Sequence, residues 1–68
     1  MEVIRNRVFC RVNDELSSVK RLNQIAEEYE RYGYTVQRGR NHSVFVFFPN
    51  QQIEFYPLEQ CIMERIFR

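Results

Sequence analysis

Two cysteines, one histidine and a group of carboxylates near a helical segment are the residues of this 68-residue chain whose types could carry out a reaction. His42 is the only histidine, and Ser43 stands beside it. On a strand, neighbours point to opposite faces, so the two are badly placed for a nucleophile and its base. Cys10 and Cys61 are far apart and have no ligand spacing. Since residues 1–7 read as no signal peptide, both are expected to be reduced and to pack as small hydrophobes, forming neither a redox pair nor a metal site. Asp14, Glu15, Glu27, Glu28 and Glu30 fall at the start and on the polar face of a helical pattern, where solvated charge accounts for them. Gly33 and Gly39 are isolated, which leaves no phosphate-cradling loop. No catalytic residue, cofactor or metal is therefore expected.

What remains is the chemistry of recognition. Arg5, Arg7, Phe9 and Arg11 share one parity near the N-terminus, and Phe45, Phe47 and Tyr56 recur on one parity further on. Ten Lys+Arg oppose nine Asp+Glu, a net charge of +1, which excludes an acidic nucleic-acid mimic and a strongly basic binder. Lys20 is the one lysine among those ten cations, and arginine suits stacked and bidentate contacts. Aromatic rings and arginines without lysine make up the core of a protein interface. The expected function is a non-enzymatic protein-binding or regulatory module, a homodimer or a unit docking on a larger protein, with those seven residues as the partner surface. The alternative is a single-stranded nucleic-acid platform on the same face. Residues 45–48 match the end of the RNP1 pattern of RNA-recognition motifs. Residues 41–44 lack its basic-glycine-aromatic beginning, so the chain is not assigned to that family.

The elements that must position these residues follow from periodicity. Residues 2–12 alternate, with Ile4, Val8, Cys10 and Val12 opposite the arginines, and the strand breaks at Asn13 and Asp14. Val19, Leu22, Ile25, Ala26, Tyr29 and Tyr32 recur at helical spacing behind the cap candidates Ser17 and Ser18, predicting a helix over 17–32 that Gly33 ends. Strands are predicted over 34–38, 42–48 and 51–56, with turns at 39–41 and at Pro49 and Asn50. Pro57 would open a closing helix whose stripe is Leu58, Cys61, Ile62 and Ile66.

Pairing Arg38 with His42 and Phe48 with Gln51 collects Tyr34, Val36, Val44, Val46, Phe48, Ile53 and Phe55 on one face, the expected core. Phe45, Phe47 and Tyr56 fall on the other face. If the first strand turns its apolar parity inward, Arg5, Arg7, Phe9 and Arg11 join them there. The expected fold is a single α+β domain over 1–68, of order β-α-β-β-β-α, with an antiparallel meander and helices mainly on one face. No apolar run approaches the roughly 20 residues of a membrane span, and a cytoplasmic location is expected.

Overall fold

The computed structural model describes residues 2–10 and 18–68. Helical spacing of Leu22, Ala26 and Tyr29 builds α1 (Ser18–Arg31), with Leu22 and Ala26 fully buried. It ends as its sequence requires. Gly33 takes φ +90°, the Gly33 amide donates to the Glu30 carbonyl at 3.0 Å, and the Tyr34 amide donates to the Tyr29 carbonyl at 3.1 Å. This is the six-to-one and five-to-two pattern of a Schellman cap, closed by an edge-on contact between the Tyr29 and Tyr34 rings at 5.8 Å.

The strands are β1 (Val3–Cys10), β2 (Thr35–Arg38), β3 (Val44–Phe47), β4 (Gln52–Leu58) and β5 (Cys61–Phe67). They form one antiparallel sheet in the order β1-β5-β4-β3-β2. Helix α1 lies on one face, and no membrane-crossing helix occurs among the described residues. The class is α+β, as expected. The core is the predicted one from Val36 to Phe55: Val44, Val46, Ile53 and Phe55 are buried under Leu22 and Ala26, with Val36 and Phe48 packed against them. Tyr34, also expected there, is 42% exposed because it sits in the connection before β2.

The second hairpin has the predicted register, Phe47 opposite Gln52, with the Phe48 amide bonded to the Gln51 carbonyl. The first is offset by two residues. Arg38 pairs with Val44 instead of His42, because a 3₁₀ turn, Arg40–His42, with positive φ at Asn41 and His42, lengthens the connection. A shift of two leaves every side chain on its predicted face, since the strand period is also two.

The closing helix is corrected to a strand. β4 runs on through Pro57 to Leu58, turns at Glu59 and Gln60, and returns as β5. Gln60 takes φ 62° at that turn. β3 ends opposite Phe55, so Pro57 sits where β4 has no β3 neighbour and the missing amide proton breaks no ladder bond there. Ile62 and Ile66 then bury at period two instead of forming a helical stripe.

The cysteines are corrected as well. Cys10 and Cys61 are directly opposed in the β1–β5 ladder, with Cα atoms 4.3 Å apart, and they form a disulfide. The expected reduced thiols are absent because a pairing between the chain's first strand and its last brings together two residues that carry no common local signal. The expected strand end at Arg11 and Val12, the break at Asn13 and Asp14 and the cap at Ser17 lie outside the described residues.

Candidate functional site

The seven residues predicted to share a surface are divided between the two faces of the sheet. Phe45, Phe47 and Tyr56 point away from the helix, opposite Gln37, Thr35 and Met63 respectively. Arg5, Arg7 and Phe9 do the reverse: they stand opposite Ile66, Glu64 and Ile62, the buried parity of β5, and so occupy the helix side. This corrects the expected outward placement of the β1 arginines. Parity predicts a face only where one face is buried, and β1 is an edge strand whose eight residues are all exposed. Arg11 lies outside the described residues.

On the outer face, Phe45 packs edge-on against Tyr56, with ring centroids 6.2 Å apart. The Phe45 ring also lies across Gly39, where a Cβ would meet its Cε2 at 2.5 Å and Ser43 Oγ at 2.7 Å. Glycine is needed there for close approach. The Tyr56 hydroxyl donates to Glu54, whose other oxygen accepts from Gln52 Nε2 at 2.9 Å. Burial first, then that bond to a carboxylate, pushes the Tyr56 phenol up to about 12, so it stays protonated and donating at ordinary pH. Arg65 stands opposite Glu54 across the ladder and reaches Asn6 Oδ1 with Nε at 3.1 Å. Met63 and Phe67 share this face; like Phe45, Phe47 and Tyr56 they are half-buried, and no described element lies over them.

On the helix side, a cleft of about 420 Å³ opens between α1 and the β1–β5 half of the sheet. Ile25 and Tyr29 line it from the helix, Tyr32 from the turn beyond, and Phe9, Phe55 and Ile62 from the sheet. Glu64 also lines it, with its side chain only 9% exposed. Arg7, directly opposite on β1, donates from Nε to Glu64 Oε1 at 2.9 Å, and Arg5 Nη2 lies 3.8 Å from the same oxygen. The Arg7 guanidinium sits 4.7 Å over the Phe9 ring, which fixes it from the other side. The Tyr29 phenol is held above its usual value by burial and then by the Glu64 charge.

The sequence reading missed Glu64, Tyr29 and Tyr32 as site residues. One signal was available: a carboxylate stands between Ile62 and Ile66 at what is otherwise an apolar parity, and a charge is almost never buried unless paired.

The Arg7 and Glu64 pairing has a testable energetic consequence. Removing one partner of a buried pair leaves the other charge desolvated, which costs about 3–5 kcal/mol when both are inside. Arg7 is 44% exposed and Arg5 remains nearby, so Arg7→Ala should cost less, about 2 kcal/mol. Glu64→Leu should cost less still, because it removes the buried charge and leaves the arginine free to reach water. Urea unfolding of both variants checks the order, and a Glu64→Leu variant less stable than Arg7→Ala would contradict it.

The fold and these two surfaces define the class: a small α+β domain with one described helix on a five-strand antiparallel sheet, bearing an uncovered aromatic face and a charged-floor cleft. Comparison with known proteins finds no matching family model, no similar curated protein and no similar solved structure.

Proposed function

We propose that the protein is a non-enzymatic binding module that self-associates as a homodimer, with the outer sheet face of one copy packed on that of the other. The observation that supports this most is the aromatic surface of Phe45, Phe47 and Tyr56, continued by Met63 and Phe67, on a face that no described element covers. Among the described residues only α1 lies on the sheet, so the half-buried side chains of the other face have burial left to gain, and a second copy supplies it.

A second copy fits in charge and in size. Glu54 and Arg65 are opposed at the centre of the face, so it carries no net charge to repel its own image, and a twofold axis brings each against its opposite on the partner. The molecule measures 35 × 25 × 20 Å, and the shortest extent matches one helix layer on one sheet layer. The two longer extents bound a face large enough for the roughly 800 Å² per partner of a standard interface.

The nucleic-acid alternative draws less support. It requires arginines and rings on one platform, whereas Arg5 and Arg7 lie on the other side of the sheet from Phe45 and Phe47. As for where the protein works, the Cys10–Cys61 bond weighs against the reducing cytoplasm expected from the sequence, since such bonds persist in oxidising compartments.

Sedimentation equilibrium of the full chain tests the proposal. The wild type should sediment at twice 8.4 kDa, and Phe45→Glu/Phe47→Glu as a monomer with an unchanged far-UV spectrum. A wild type that stays monomeric at about 100 μM, well above the Kd range expected of a standard-size interface, overturns it.

A further inference from the structure

The cleft between α1 and β1 contains an acceptor oxygen to which no described residue donates. Both contacts of Glu64, from Arg7 Nε and Arg5 Nη2, go to Oε1, and among the described residues nothing donates to Oε2. For a carboxylate nine-tenths buried, an oxygen with no donor among the described residues is a costly arrangement, since a buried acceptor without a donor bears its desolvation penalty. That oxygen belongs to a side chain lining a cleft otherwise walled by the rings of Phe9, Tyr29, Tyr32 and Phe55.

We infer that this cleft is a binding site for a flat, uncharged aromatic small molecule carrying an N–H or O–H donor, which stacks among those rings and donates to Glu64 Oε2. Each part of that description comes from the geometry. At about 420 Å³ the cleft falls within the range of small-ligand pockets and holds one or two fused rings with space to spare. Four aromatic walls favour a ring over a branched aliphatic group, through offset and edge-on contacts.

Charge balance on the wall favours a neutral ligand. The Glu64 charge is already met by Arg7 and Arg5, so a cationic ligand would find two guanidinium groups beside that carboxylate. Arg21 and Glu28 line the cleft together, so charges of both signs meet on its wall and a ligand of either net charge finds a like charge there. A neutral donor satisfies the oxygen without adding a charge. The Tyr29 hydroxyl, held protonated in this setting, supplies a second polar point on the wall.

This inference does not depend on self-association, because the cleft and the outer face are on opposite sides of the sheet. Indole and benzothiophene test it: they are bicyclic rings of nearly equal size, and the second has sulfur where the first has N–H. In ¹H–¹⁵N titrations of the full, oxidised chain, indole should shift the amides of Phe9, Tyr32, Ile62 and Glu64. Benzothiophene should bind at least about tenfold more weakly, as expected when a charged acceptor loses its hydrogen bond. In Glu64→Leu the ratio between the two probes should fall to near one. Tyr32→Ala, at a position 72% exposed and so safe for folding, should weaken both probes and keep their ratio. Equal binding of the two probes by the wild type, shifts confined to Phe45 and Phe47, or no shift with either probe at millimolar concentration would each overturn the proposal.

Discussion

Reducing the Cys10–Cys61 disulfide should lower the unfolding free energy by about 4 kcal/mol, the chain-entropy value for a loop closed across a sequence separation of 51 residues. A domain of this length has a total stability on the order of 3–10 kcal/mol, so the loss is a large share of what holds the fold together. The effect should be concentrated on β1. All eight of its residues are exposed, so it buries little of its own, and its ladder to β5 is terminated by the disulfide at Cys10. When β1 detaches, Phe9 leaves the cleft and Arg7 leaves Glu64, so the site opens together with the edge. Urea unfolding with and without reductant, and of Cys10→Ser/Cys61→Ser, measures this. Coincident midpoints for the oxidised and reduced chains would show that β1 is held by its ladder alone.

Leu22→Ala should cost about 3 kcal/mol, within the 2–5 kcal/mol of a fully buried leucine truncation, and should lower Tm by more than about 10 °C. Leu22 is 1% exposed, and of the largest fully buried side chains it is the one contributed by the helix, alongside Val44, Val46 and Ile62 from the sheet. Because α1 is the sole described layer over the sheet, a cavity beneath it has no second helix to relax against. Leu58→Ala is the control: at 41% exposure it should change stability by no more than about 0.5 kcal/mol, and its carbonyl bond from Ser18 Oγ is kept because it involves only backbone. Equal losses for the two variants, read by calorimetry, would mean that burial under α1 is not what stabilises the domain.

Dimerisation and ligand binding would place these losses in context. If the outer faces pair, stability becomes dependent on protein concentration, and the cost of Leu22→Ala should be read at one fixed concentration. The ligand cleft would instead respond to reduction, since one of its walls is Phe9 on the strand that the disulfide holds.

Local pattern determined much of this protein. Helix α1 and its glycine cap follow from the three- and four-residue spacing of Leu22, Ala26 and Tyr29 before Gly33. The buried faces of β2, β3 and β4 follow from alternation, and they survived the offset at residues 39–43 because it was even. The outward direction of Phe45, Phe47 and Tyr56 was legible for the same reason. Period alone could not choose between helix and strand for the last element, since Leu58, Cys61, Ile62 and Ile66 make a helical stripe while Ile62 and Ile66 also fit alternation, and Glu64 between them hid the shorter period. Only the tertiary structure made that choice, by placing β1 beside β5. That pairing sets Arg7 against Glu64 and Cys10 against Cys61, so a charge can occupy a core parity and two distant cysteines can meet. It also decided which way the arginines face. On an edge strand with no buried side of its own, the hydrophobic pattern exerts no pull, and the side each residue takes is dictated by the neighbour it pairs with.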